Sequence, residues 1–282
     1  MVAAVGDVTP AAPDPVPATL SLVIPAYNEE ARLPALLEVL ETSAGSAVEQ
    51  AGMELVETLI VDDGSTDRTR EMLEEAPEGD ARVKPVLDFE VNRGKGAAFA
   101  AGVERARGEY VLLADVDLST PLEELPKLTA VIREGADIAI GSRAVAGAVV
   151  ERGPRHRKIL GGAFNGAVRL LTGLRLRDTQ NGFKLFPADS ARRLLAEQTC
   201  PGFAFDVELL MRADQAGLRI AEVPILYMHD SRSSVRVASA SMEMLRDVSG
   251  LAYRLRARRS ARRKGHPRRG RALAEIPADD SD

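Results

Sequence analysis

Two aspartates one residue apart, Asp115-Val116-Asp117, follow the apolar run YVLLA at 110–114. At the end of a buried strand such a pair can turn both carboxylates toward one hard divalent cation, Mg²⁺ or Mn²⁺, which takes oxygen ligands and commonly bridges to phosphates. A second pair, Asp62-Asp63, ends the run LVETLIVDD and precedes Gly64-Ser65. Acids placed there accept hydrogen bonds from a base N–H or a ribose hydroxyl. The plainer role for them is helix capping, but Ser65 or Thr66 is expected to fill the cap and leave both acids available. Gly94-Lys95-Gly96 lacks the earlier glycine and the hydroxyl residue of a P-loop, and no G-x-G-x-x-G follows the first strand. P-loop phosphoryl transfer and dinucleotide redox chemistry are therefore disfavoured. His156 and His229 have no second His or Cys at ligand spacing, which speaks against zinc.

These residues need a scaffold that gathers them. Leu20–Ile24 is an apolar run of strand type, stopped by Pro25, and Leu33, Leu36, Leu37 and Leu40 then recur at helical spacing. Residues 55–63 and 83–88 read as two more strands with a helix through Glu75 between them. An Ala-rich helix covers 97–107, and Tyr110–Ala114 is a fourth strand. Strands alternating with helices at short intervals predict an α/β domain, a mostly parallel sheet with helices on both faces. The acidic and Gly-rich clusters follow strands two, three and four, at the carboxyl ends where open sheets bind ligands. Further on, helices are expected at 122–134, 159–174, 207–216 and 236–255, and strands at 137–141, 183–186 and 220–227. No internal repeat is present.

The chain has 282 residues, 45 % of them apolar, which supports a sizeable core and argues against global disorder. It has no Trp, so a stacking platform built on Trp is excluded. The 37 Lys+Arg and 42 Asp+Glu give a net charge of −5, but this average hides a split. Ten Lys/Arg and no acid lie between Arg254 and Arg271, leaving 27 basic against 42 acidic residues elsewhere, or −15. The expected organisation is a disordered leader at 1–19, one catalytic domain at 20–253, and a basic, then acidic, tail at 254–282. The leader has no basic n-region and is broken by Asp7, Pro10, Pro13 and Asp14, unlike a signal peptide. Cys200 stands alone, so no intramolecular disulfide forms and a reducing, cytoplasmic location fits. No run approaches the ~18 apolar residues of a spanning helix. The tail has three readings. It can meet an anionic membrane at about 1 kcal/mol per basic residue, bind nucleic acid, which the lack of interleaved aromatics disfavours, or stay solvated. Arg152, Arg155, Arg157 and Lys158 suit either a helix lying at lipid headgroups or the solvated start of a core helix.

The segments VIPAYNEE (23–30), VDDGSTD (61–67), NRGKGAA (92–98), ADVDLSTP (114–121), GSR (141–143), RDTQNGFKLF (177–186) and FDVELL (205–210) occur in one order. Together they resemble the family-2 glycosyltransferases of the GT-A, Rossmann-like fold. More narrowly, they resemble the dolichyl-phosphate β-glucosyltransferase branch, whose relatives make polyprenyl-phosphate sugars. The resemblance spans about residues 20–250. It implies that Pro25, Tyr27 and Glu29 border the nucleotide and that Asp62 or Asp63 holds the uracil or ribose. Asp115 and Asp117 would bind the metal that bridges the donor diphosphate, with Ser119 nearby. Lys95 and Arg143 would face phosphates, and Gln180 with Asn181-Gly182 would line the sugar side. Asp206 lies where other inverting members place an acid near the acceptor. Relatives carry Gly-Ser-Lys where this chain has Arg232-Ser233-Ser234, leaving Arg232 and Arg236 as the local cations.

The implied reaction is metal-dependent, inverting transfer of glucose from UDP-glucose to a polyprenyl phosphate at the inner face of the cell membrane, by a peripheral protein. A metal stabilises charge on the departing nucleoside diphosphate as a Lewis acid, and Arg or Lys adds charge-assisted hydrogen bonds. A phosphate acceptor is already anionic, whereas a hydroxyl acceptor needs a base such as Asp206. Two alternatives stay open: transfer to a soluble or polysaccharide hydroxyl, and a non-catalytic nucleotide-sugar binding protein.

Overall fold

The structure, a computed structural model, describes residues 17–75, 83–87, 89–151, 155–228 and 244–255, with the backbone alone at 155–160, 163 and 164. A seven-stranded sheet runs in the order β3-β2-β1-β4-β7-β5-β8, built from β1 (Ala18–Ala26), β2 (Met53–Asp62), β3 (Val83–Val86), β4 (Tyr110–Leu113), β5 (Ile138–Ser142), β7 (Lys184–Pro187) and β8 (Ile220–Pro224). All neighbours pair in parallel except β7, which is antiparallel to both β4 and β5. A separate parallel pair joins β6 (Val149–Val150) to β9 (Leu226–Tyr227). The expected mostly parallel sheet is therefore present, with one reversed strand inside it.

Alternation along the strands divides the core into two layers. In β1, Leu20, Leu22 and Ile24 face one side and Val23 the other; in β4, Leu112 opposes Val111 and Leu113. Each such fully buried side chain contributes about 1.5–3 kcal/mol. The register of β1 on β2 shifts between Leu20 and Ser21, so β2 bulges beside them. Parity then changes along β2: Met53 and Leu55 share a face with Ile60, while Leu59 and Val61 take the other.

One layer is covered by α1 (Leu33–Thr42), α2 (Ala44–Gln50), α3 (Thr69–Glu74) and α5 (Leu125–Arg133), the last entered through a 3₁₀ turn at Leu122–Glu124. The other is covered by α4 (Lys95–Arg105), α7 (Ala188–Leu195), α8 (Phe205–Gln215) and the helical residues 244–255. Helix α6 (Arg155–Thr172) lies in the long excursion between β5 and β7.

Several elements differ from the sequence reading. α2 and α7 are additional helices, and the expected strand at 220–227 divides into β8 and β9 around Ile225. α3 begins at Thr69, and Asp67 rather than Ser65 or Thr66 accepts from the Thr69 N–H, at 2.9 Å. Ser65 and Thr66 instead bind Asn28: Ser65 Oγ accepts from the Asn28 N–H, and the Thr66 N–H donates to Asn28 Oδ1. Residues 1–16 of the leader, the tail from 256 onward, His229, Arg232, Arg236 and the side chains of Arg152, Arg155, His156, Arg157 and Lys158 lie outside what the structure describes. Among the described residues, no helix is long and apolar enough to cross a membrane.

Candidate active site

The carboxyl ends of β1, β2 and β4 open into a cleft of about 530 Å³. Pro25, Tyr27, Glu29, Asp63, Lys95, Asp115 and Asp117, all singled out from the sequence, line it. Gly202, Phe203 and Ala204, just before α8, form one lip, and Met244 and Asp247 of the C-terminal helical segment contribute another part of the wall. Asp62, Arg143, Gln180 and Asp206 do not line this cleft.

The loops of the cleft are laced together by their own polar groups. Asn28 is left-handed at φ 55°, which aims its amide at the turn after β2. The Glu29 N–H donates to Thr69 Oγ1 at 2.7 Å, and the Glu30 N–H to Asp67 at 3.2 Å. The two adjacent acids after β2 behave differently. Asp63 accepts from Asn92 Nδ2, the Arg93 N–H and the Gly94 N–H, at 2.8–2.9 Å. It is thus committed to holding the loop before α4, a correction to the expectation that both acids are available. Burial raises its pKa, opposed by those N–H donors. Asp62 is fully buried, accepts from the Ser65 N–H through Oδ1, and has no hydrogen-bond partner at Oδ2. A buried acceptor left open is costly unless something binds it.

Lys95 occupies the first turn of α4 and donates to Asp115 Oδ1 at 2.6 Å. Burial works against its charge, but Asp115, Asp206 and Asp117 outweigh burial and push its pKa up to about 12. Burial likewise opposes ionisation of Asp115, yet Lys95, Lys184 and Arg143 hold its carboxyl below the usual range. The chain turns sharply after Asp115: Leu118 takes φ 41°, its N–H donates to the Asp115 carbonyl at 3.0 Å, and the Ser119 N–H donates to Asp117 Oδ1 at 2.9 Å. Gly182 lies directly against the Asp115 carboxylate, where a Cβ would overlap it. Glu29, across the cleft, pairs with Arg32 at 2.8 Å; burial raises its carboxyl above the usual range despite that partner.

Two features fit a divalent ion that bridges to substrate: Gly182 leaves room for the Asp115 carboxylate, and Asp117 has no ion pair among the described residues. No group of three or more His, Cys, Asp or Glu that could hold a metal ion exists among the described residues. An ion held by two carboxylates keeps positions free for water and phosphate oxygens.

Outside the cleft lining, Arg143 forms a bidentate pair with buried Asp178: Nε to Oδ2 at 2.7 Å and Nη2 to Oδ1 at 2.9 Å. Its guanidinium packs 5.0 Å from the centre of the Tyr227 ring. Lys184 is fully buried and donates to Asp206 Oδ1 at 2.5 Å and to the Asn181 carbonyl. Asp206 is therefore enclosed in the first turn of α8, facing an ammonium group. Thr179 Oγ1, Gln180 Nε2 and Ser119 Oγ are buried without partners in the two loops that meet at Asp115. Lys184, Asp178 and Glu222, which hold these groups by hydrogen bonds, are not singled out by the sequence. A lysine inside the apolar run GFKLF was the one available signal.

A mostly parallel sheet with one reversed strand and an acid pair at its carboxyl edge is the arrangement of the GT-A fold. The chain matches Glycosyl transferase family 2 over residues 21–199 and belongs to that family. Among its relatives, it is 32 % identical over 245 residues to the dolichyl-phosphate β-glucosyltransferase of Dictyostelium discoideum, covering 83 % of this chain and 74 % of that one. It is 36 % identical over 239 residues to the Drosophila melanogaster enzyme of the same name, covering 81 % and 73 %. In fold it is similar to glucosyl-3-phosphoglycerate synthase from Mycobacterium tuberculosis, crystallised with Mn²⁺, UDP-glucose and phosphoglyceric acid. That match has a TM-score of 0.57 and 22 % identity, over 83 % of this chain and 80 % of that one.

Proposed function

We propose that the protein transfers glucose from UDP-glucose to a polyprenyl phosphate, with inversion and with a divalent metal, Mg²⁺ or Mn²⁺. The observation that carries the acceptor is the state of the acids. Asp115, Asp178, Asp206 and Glu29 each face a cation at 2.5–2.8 Å. Asp117 is the acid of the cleft loop without an ion pair among the described residues, and metal binding uses it. Asp206, the acid expected as the base for a hydroxyl acceptor, is thus held by buried Lys184, whereas a phosphate oxygen attacks already ionised and needs no base. The names of the relatives support the same acceptor class.

In this reading Asp115 and Asp117 hold the metal, which neutralises charge on the leaving diphosphate when bound. Lys95, beside Asp115, would donate to a phosphate oxygen of the donor. Tyr27, Pro25 and Glu29 border the nucleotide, and the open Oδ2 of Asp62 accepts from the base or ribose. Gln180 and Thr179 supply polar atoms to the sugar. Arg143 presents its charge from the far side of Asp115. The basic tail brings the enzyme to the anionic membrane surface that carries the lipid.

The test is incubation of the purified chain with radiolabelled UDP-glucose, Mn²⁺ or Mg²⁺, and either polyprenyl phosphate or a panel of sugar and glycerate hydroxyl acceptors. Label extracted into organic solvent, lost on EDTA treatment, is expected. Label confined to a water-soluble product would reject the lipid acceptor. Deleting 256–282, a cut that spares buried Leu255, is expected to weaken liposome binding while leaving UDP-glucose binding unchanged.

A further inference from the structure

Glu222 belongs to none of the segments that carry the family resemblance, yet it sits beneath the Arg143–Asp178 pair. It lies on β8, in register with Ile140 of β5, and is half-buried. Its Oε1 accepts from Ser142 Oγ and from the Asp178 N–H, both at 2.9 Å, and its Oε2 accepts from the Arg177 N–H at 2.8 Å. Ser142 immediately precedes Arg143, and Arg177-Asp178 carries the carboxylate that grips it. One carboxylate therefore ties down both sides of the ion pair.

The geometry downstream shows what this anchor controls. Asp178 accepts from the Arg143 N–H, Nε and Nη2 and from the Gln180 N–H. Two residues past Gln180, Gly182 supports the Asp115 carboxylate. An Arg–carboxylate pair by itself fixes the mutual orientation of two groups but not their place in the fold. Here β8 supplies that place, because an edge strand paired with β5 through five residues is more rigid than the loop it holds. A carboxylate is also the group that the site requires. It accepts only, whereas an amide would set N–H against one of the N–H donors it now receives.

We propose that Glu222 is a positioning residue for transfer: through Ser142 and Asp178 it holds Arg143 toward the leaving diphosphate without touching substrate. This rests on the reading of Arg143 as a phosphate-facing cation, and the experiment separates the two.

Steady-state kinetics with the donor varied are compared for the native chain, E222Q, R143A and the double variant, with thermal unfolding followed in parallel. E222Q is expected to lower kcat roughly 10- to 100-fold, the scale of a small misplacement of a reacting group. KM for the donor is expected to change far less, because the charge on the leaving group develops in the transition state. In the R143A background the same substitution is expected to change kcat less than about twofold, since its effect travels through Arg143. Native kcat for E222Q, or an equal fold-loss in both backgrounds, would overturn the proposal; the second result is that of a merely structural residue. Native kcat for R143A would instead remove the reading of Arg143 and the proposal with it. Should E222Q not be recovered folded, Ser142→Ala takes its place. It frees one of the two bonds to Oε1 and is expected to lower kcat roughly 3- to 10-fold only where Arg143 is present; an equal loss without Arg143, or none with it, overturns the proposal.

Discussion

Lys95–Asp115 and Lys184–Asp206 are the same chemical pair placed in two regions of one molecule. Both are short, at 2.6 and 2.5 Å, and both lie at the carboxyl edge of the sheet. The side chains of the first are 18 % and 39 % exposed, those of the second 0 % and 3 %. Water, a metal ion or a phosphate can reach the first pair, so either partner can be exchanged. Nothing can replace the partners of the second, so breaking it leaves a bare charge in the interior. Identical residues thus give an exchangeable site in one place and a permanent brace in the other, and burial makes the difference.

The sharpest way to break this comparison is Lys184→Met. Removing one partner of a sealed pair is expected to cost about 3–5 kcal/mol, read by urea unfolding. Lys184→Met combined with Asp206→Leu is expected to recover most of that loss, because the uncompensated carboxylate is gone. A single-variant loss below about 1 kcal/mol would mean that the brace does not exist.

The exchangeable pair should show the opposite profile. Asp115→Asn is expected to lower kcat roughly 10²- to 10³-fold through lost charge stabilisation at the leaving group. Its unfolding free energy is expected to move by no more than about 1 kcal/mol, the scale of a partly exposed pair. Calorimetric titration of Mn²⁺ in the presence of UDP should lose its signal in the same variant. Retained turnover would place the metal elsewhere.

Gly182→Ala tests the seat of the exchangeable pair rather than its charges. The added methyl must push the Asp115 carboxylate aside, an overpacking cost of about 1–3 kcal/mol. The loss of activity should exceed the loss of stability, and metal affinity should fall. An active, unshifted variant would show that Asp115 has room to spare.

The smallest effect comes from a third acid, which serves as a control. Glu57 is buried at the opposite part of the sheet, bound by Ser21, Lys84 and Arg107. Burial alone would raise its pKa, but the Arg107 N–H, Ser21 and Lys84 bring it below the usual value. A depressed folded-state pKa stabilises fully above the unfolded value of about 4.3 and is lost as pH falls through the folded one. Glu57→Gln should therefore flatten the acid limb of stability below about pH 4.3 while leaving the pH dependence of kcat unchanged. A shifted activity profile would join this region to the site and blur the contrast.

Much of this was legible residue by residue. The runs LSLVI, LVETLIVDD and YVLLA announce buried strands by apolar composition alone, and the acids behind them announce a ligand edge. The two-residue strands β6 and β9 carry no periodicity to detect, and α7 hides in an Ala- and Arg-rich stretch. Asp62 and Asp63 are indistinguishable as letters. Successive residues leaving a strand point to opposite sides, so one meets the loop before α4 and the other keeps an open oxygen. Lys184 reads as a surface residue by type and becomes the most enclosed cation among the described residues, because β7 is inserted between two strands.

That insertion is also where sequence and structure divide their work. Local composition determined the strands and the acid pairs, since each depends on neighbours within a few residues, and the order of the motifs along the chain determined the family. The reversal of β7 was decided by long-range pairing, Lys184 against Leu113 on one side and Ile140 on the other. Because β7 runs backward, the residues that precede it arrive at the carboxyl ends of its parallel neighbours. Asp178 and Gly182 thereby meet Arg143 and Asp115. Contacts across 35 residues or more, between groups whose spacing along the chain carries no period, are set only when the sheet closes.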